Sequence, residues 1–139
     1  KIMFFKKKKD KEQSNDFVKI TALLVHAAKI DQNFSIEEEE IIKKTLMEIG
    51  NKEEDTKKIL EQAKQIEADS VQILEFTKKV KEMDKNIKIK IIETLWRIIY
   101  SNKKADIYET SLMRRLEGLL YIDSKIMGSI KEKIIKENS

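Results

Sequence analysis

The residues best suited to chemistry lie in AKIDQNFSIEEEE, residues 28–40, where Asp31 is followed by Asn33, Ser35 and four consecutive glutamates. Oxygen ligands at alternating loop positions are what a hard cation requires; calcium takes roughly six to eight of them and magnesium an octahedral shell. Asp31, Asn33, Ser35 and Glu38 present that alternation, and a second polar loop with Asp106 and Glu109 offers two further carboxylates. The pattern departs from an EF-hand, which needs a glycine at its bend and a terminal bidentate glutamate. Asp31, Glu38, Asp106 and Glu109 are therefore the candidate metal ligands, with a divalent cation as the conditional cofactor.

The same residues have a structural use. Ser35 can accept from the backbone N–H of Glu38 while the Glu38 carboxylate reaches back to that of Ser35, and DIYE, residues 106–109, repeats this reciprocal box with Asp106 and Glu109. Carboxylates in a first helical turn gain about 0.3–1 kcal/mol each from the helix dipole. Within Glu37–Glu40, Glu39 and Glu40 also stand three or four residues from Lys43 and Lys44. Helix initiation with a solvated acidic face is thus the preferred reading of the stretch, and cation binding the second.

Catalysis finds less support. His26 is the single histidine, it falls off the apolar stripe of Phe17, Ile20 and Leu24, and no cysteine exists to pair with it. A packing histidine is expected. No glycine-rich loop is present to cradle phosphate. No catalytic or cofactor-binding residue is nominated, and the chain is read as a non-enzyme. Trp96 and Tyr100 are expected in the core rather than in a ligand cage, with Tyr108 as a further aromatic of a conceivable recognition surface.

The elements that must position these residues are helices. Proline is absent, glycine occurs only at Gly50, Gly118 and Gly128, and Lys and Glu dominate the charged residues, a composition that starves turns and strands. Phe17, Ile20, Leu24, Ala27 and Ala28 recur at helical spacing, widened by Leu23 and Ile30, which predicts a central helix. A second runs from Ser35 to about Ile49, closed by Gly50 in a left-handed conformation. Asn51 is expected to cap a third, mostly polar helix on the surface, and Asp69 or Ser70 a fourth with the stripe Ile73, Phe76, Val80 and Met83. IKIK, residues 87–90, alternates like a strand, but Ile91, Leu95, Ile98 and Ile99 restore helical spacing. Asp123 is placed to cap a last helix through Ile126, Ile130 and Ile134.

An internal repeat organises these pieces. Shifting the chain by 71 positions lays Asp31 on Asn102, Ser35 on Asp106, Ile36 on Ile107, Glu38 on Glu109, Ile41 and Ile42 on Leu112 and Met113, and Ile49 on Leu120. The expected fold is all-α: a single compact bundle of about seven helices with a pseudo-twofold repeat, in a chain whose 139 residues suit one domain.

Residues 1–13 carry six lysines against Asp10 and Glu12, which accounts for the whole net charge of +4. Residues 1–14 are accordingly read as a basic tail and 15–139 as the helical domain. Phe4 and Phe5 followed by Lys6, Lys7, Lys8 and Lys9 join an apolar wedge to adjacent cations, a pattern suited to an anionic membrane surface. The body is neutral and carries few arginines, so nucleic acid is disfavoured as a partner. No apolar run approaches the roughly 18 residues of a membrane span. The expectation is a cytoplasmic protein that meets a protein partner, with peripheral contact at the inner membrane face as the alternative.

ETLWRIIYSNKKADIYETSLMRRLEGLLYI and ALLVHAAKIDQNFSIEEEEIIKKTL resemble the two halves of the tellurite-resistance TerB-like family, in which a helix enters an acidic loop and leaves through an acidic cap. The resemblance covers roughly Phe17 to Ile122. It implies an all-helical domain with pseudo-twofold halves, shared with the N-terminal region of the co-chaperone DjlA. It implies a stress-response setting without a settled enzymatic activity, and acidic loop residues proposed to chelate metal, here Asp31, Glu38, Asp106 and Glu109. The usual loop glycine is replaced by Gln32 and Lys103, and the second loop's leading Asp by Asn102.

Overall fold

With no proline and three glycines, the chain has few residues that break a helix, and the backbone groups exposed at each helix end call for partners. The computed structural model describes the backbone of residues 2–30, 34–69, 73–102 and 107–137, and the side chains within them except those of 2–15, 102 and 107. The described order is α1 (Ile2–Lys29), α2 (Ile36–Glu48), α3 (Glu53–Asp69), α4 (Leu74–Lys81), α5 (Lys85–Ile99), a 3₁₀ turn (Tyr100–Asn102), α6 (Ile107–Leu119) and α7 (Ser124–Glu137). The all-α expectation holds, and IKIK lies inside α5. Asp84 opens that helix by accepting from the backbone N–H of Ile87 at 3.0 Å.

Two helices form the centre. In α1, Ile20, Ala22, Leu23, Leu24, Val25, Ala27 and Ala28 are all fully buried, so apolar residues surround the axis rather than line one stripe. In α5 the buried set is Ile91, Ile92, Leu95, Trp96, Ile98 and Ile99. α1 packs most extensively on α3, then on α4 and α5; α5 in turn takes α7 and α2. Each fully buried Leu, Ile or Val contributes about 1.5–3 kcal/mol through removal of its surface from water. Trp96 and Tyr100 stack at 5.8 Å between centroids on the inner side of α5.

The helix α1 starts at Ile2, ahead of its apolar stripe. Three expectations need correction. α3 carries a buried stripe of Thr56, Ile59, Leu60 and Ala63 against α1, so it is an amphipathic core helix rather than a surface one. Asn51 bonds backward, its side-chain amide donating to the Leu46 carbonyl at 3.1 Å, and so closes α2 instead of opening α3. Asp69 is the last residue of α3, and α4 starts after Ile73 with no side-chain cap.

At the 71-residue offset, α2 and α6 coincide end for end, and α3 and α7 start together. Their closures also coincide. After α2 the N–H of Asn51 bonds the Leu46 carbonyl and that of Gly50 the Met47 carbonyl; after α6 Ile122 bonds Glu117 and Tyr121 bonds Gly118. This is the Schellman pattern, which needs a left-handed residue. Gly50 has φ 112° and Tyr121 φ 53°.

Candidate functional site

The first acidic loop ends in a built cap. Ser35 is extended, at φ −82° and ψ 162°, and its Oγ accepts from the Glu38 N–H at 3.1 Å. Glu38 Oε1 accepts from the Ser35 N–H at 2.9 Å and from its hydroxyl at 3.0 Å. The carboxylate is 2% exposed, and a buried charge is tolerated only when held by donors in this way. Glu109 occupies the corresponding third position of α6 and is 4% exposed. Burial and then the nearby Glu109 charge raise the Tyr100 phenol above its ordinary 10.0.

Asp31 and Asp106 lie outside the described residues, as do Lys103 and Lys104. Among the described residues no three His, Asp or Glu side chains converge as a metal-holding group. Phe4, Phe5, Lys6, Lys7, Lys8 and Lys9 belong to the backbone of α1, with their side chains outside the described set. Among the described residues no helix is long and apolar enough to cross a membrane.

Two surface features accompany the caps. A groove of about 550 Å³ runs between the end of α1 and the first turns of α6, lined by Ile30, Tyr108, Ser111, Leu112 and Arg115. Tyr108, Ser111, Leu112 and Arg115 follow helical spacing along one face, and Tyr108 is 73% exposed. Ile30 directly precedes the first acidic loop, so that loop's foot shares a groove with the second cap's helix. A cleft of about 340 Å³ lies between α1, α2 and α3, lined by Val25, Lys29, Phe34, Glu39 and Lys64.

The cleft's charges are closed on one another. Lys64 pairs with Glu39 and, at 3.4 Å, with Glu61, and its ammonium lies 5.2 Å from the Phe34 ring centroid. Lys29 donates to Glu67 Oε2 at 2.7 Å, while His26 Nδ1 lies 3.3 Å from Glu67 Oε1. His26 is thus a half-buried side chain held by a carboxylate of α3.

The ion-paired side chains Glu48, Lys64, Lys79, Lys90, Arg97 and Glu137 have pKa values displaced away from neutrality. The hydrogen bond from Lys90 holds Glu48 below 4.5, and that from Arg97 does the same for Glu137. Hydrogen bonds to Glu39, Asp16 and Glu48 lift Lys64, Lys79 and Lys90 above their ordinary lysine value, and that to Glu137 raises Arg97 further above the ordinary guanidinium range. These pairs join α2 to α5, α5 to α7, α3 to α2 and α4 to α1.

A family model described as "Tellurite resistance protein TerB" matches residues 17–132. The chain belongs to the TerB family. No curated protein and no solved structure matches this TerB-family chain. The matched span runs from within α1 to within α7, so the capped start of α2 and the start of α6 in the TerB chain both fall inside it.

Sequence reasoning found the Ser35–Glu38 cap of this TerB chain and missed Glu67 and the groove. The signal for Glu67 was present: Leu60, Ala63, Lys64 and Glu67 share a helical face, so a carboxylate there lies at the edge of the buried stripe. The groove had no such signal, because Ile30 and Arg115 meet only through packing of α6 near α1.

Proposed function

We propose that this TerB-family chain is a noncatalytic accessory module of a stress response that works by binding a protein partner. The observation that carries this reading is the groove with exposed Tyr108 beside Leu112 and Arg115. Tyrosine and arginine flanked by apolar surface are the residue types that dominate binding energy at protein interfaces. The ion-paired Glu48 and Lys64 are driven away from the near-neutral values that a general acid or base needs, so these two pairs serve structure. The test places a photo-crosslinking residue at Tyr108 in the cells of origin, with a control at exposed Lys57. A discrete adduct formed at Tyr108, absent at Lys57 and lost in Arg115→Ala, is the expected result. Adducts indistinguishable between the two positions would refute it.

Cation binding is the second reading, favoured by two buried carboxylates, Glu38 and Glu109, at corresponding first turns. Asp31 and Asp106 in the loops ahead would complete it. Calorimetric titration of calcium, magnesium, manganese and zinc into EDTA-treated protein decides the matter. Saturable heat lost in both Glu38→Gln and Asp106→Asn would support a shared site, and no heat from any metal would remove it.

A further inference from the structure

The opposite face of α6 carries a different feature. A pocket of about 200 Å³ lies between α5, α6 and α7, with Trp96, Arg114, Glu117, Ser124, Gly128 and Lys131 in its walls. Trp96 is 3% exposed, and its Nε1–H is the buried side-chain polar atom left without a hydrogen-bond partner among the described residues. An indole N–H can only donate, so what it lacks is an acceptor. Buried donors are nearly always matched, and an exception calls for a physical reason.

The charged residues of the wall point the same way. Lys131 Nζ sits 5.4 Å from the Trp96 ring centroid, which keeps an ammonium beside the pocket. No described carboxylate pairs with Lys131 or Arg114. The one acid of the wall, Glu117, is already engaged, because the Ser124 hydroxyl donates to it. At Gly128 an added Cβ would meet nothing within 4 Å, so the α7 side of the pocket is open space. The pocket therefore holds a surplus of donors and positive charge beside a buried N–H with no acceptor.

We propose that this pocket binds a small oxyanion-headed molecule, a phosphate or a carboxylate. Arg114 and Lys131 hold the charge, the guanidinium fork matching either group, and Trp96 Nε1–H, closed to solvent as the pocket stands, gains an acceptor when the indole shifts on occupancy. The site is separate from the Tyr108 groove and independent of the partner reading.

Trp96 is the single tryptophan, so its emission reports the pocket directly. Inorganic phosphate and acetate are titrated separately into the full chain at constant ionic strength, with thermal unfolding recorded for each variant as a control of the fold. A saturable change with a dissociation constant of about 1 mM or tighter for at least one anion is expected. Phosphate alone, acetate alone or both identifies the headgroup. Arg114→Gln and Lys131→Gln should each weaken binding about tenfold, and Gly128→Leu, which fills the open space, should abolish it. Trp96→Phe, followed by calorimetry, should also weaken binding. No saturable response to either anion up to about 50 mM would overturn the proposal, as would affinity unchanged in the Arg114→Gln/Lys131→Gln double variant. Unchanged affinity in Trp96→Phe would overturn the donor role of the indole.

Discussion

The cleft of the first half and the pocket of the second lie between corresponding helices, α1, α2 and α3 against α5, α6 and α7. At the 71-residue offset Val25 stands for Trp96 and Glu39 for Thr110 in the two walls. Their chemistry differs. In the first, Lys29 and Lys64 are each neutralised by a carboxylate of the same half, Glu67 and Glu39. In the second, among the described residues, no carboxylate pairs with Arg114 or Lys131 and no acceptor meets Trp96 N–H. Recesses between helices at matching offsets thus differ in their side chains: the first is closed by ion pairs, and the second is lined by Arg114 and Lys131.

The sharpest break in the correspondence lies deeper. Thr45 of α2 and Thr94 of α5 share a buried hydrogen bond at 2.7 Å, whereas the corresponding positions hold Leu116 and Leu23, both fully buried. Thr94 donates its own proton to the Lys90 carbonyl at 2.8 Å, so Thr45 must donate to Thr94 Oγ1. Thr94→Val keeps the volume and strands that donor, with an expected loss of about 2 kcal/mol in urea unfolding. The double Thr45→Val/Thr94→Val variant should recover most of it, as two apolar residues serve the other half. A neutral Thr94→Val would mean the polar rung adds nothing and the halves are energetically alike.

Helix closure gives the next contrast. Gly50 at φ 112° lies where an L side chain is strained, so Gly50→Ala is expected to cost about 1–2 kcal/mol. Tyr121 holds the matching position at φ 53° and has the Lys81 ammonium 4.2 Å from its ring centroid. Tyr121→Gly relieves backbone strain but gives up that contact and adds unfolded-state entropy, so it should stay within about 0.5 kcal/mol of the parent. Equal responses at both positions, measured by denaturant midpoint at constant slope, would refute the assignment of side-chain compensation at Tyr121.

These contrasts also mark what was legible in the sequence. Caps are local: Ser35 with Glu38 and the closing Gly50 act over three to five residues, and both were readable. The stripe of α1 was readable from Phe17 onward because its apolar spacing is regular, whereas the preceding lysine-rich turns carry no apolar period. Asn51 was read in the wrong direction, since one amide can serve either the helix behind it or the one ahead and only packing chooses. Glu67 beside His26 and the orphaned Trp96 N–H depend on contacts between helices far apart in sequence, and no period reports them.

Gly128 tests whether the second pocket is kept open at the expense of stability. Lys57 holds the corresponding position in α3, and a Cβ at Gly128 would meet nothing within 4 Å. Gly128→Ala should therefore stabilise the protein by about 0.5–1 kcal/mol through reduced unfolded-state entropy, read as a rise in the thermal midpoint. A gain in stability together with a weaker anion response would sharpen the contrast between the halves. A loss of stability would show that the space is not open.

The smallest effect concerns the link between the first and third helices of each half, where Arg97 stands at the position of His26. Arg97 holds Glu137 through two contacts of 3.2 Å, and the guanidinium lowers the Glu137 carboxyl below its ordinary 4.5. A carboxyl whose pKa is depressed by folding binds protons less readily in the native state than in the unfolded one. Its contribution is therefore complete above about pH 4.5 and is lost as pH falls through the lowered value. Because the pair is substantially exposed, the contribution is expected to be about 0.5 kcal/mol or less and to shrink with salt. Glu137→Gln should be slightly less stable than the parent at pH 7, and the two unfolding curves should converge as pH falls through the lowered Glu137 value. A difference that persists unchanged into acid would mean that Glu137 acts through packing of its stem on α5, and that the two halves are tied by different forces at this position.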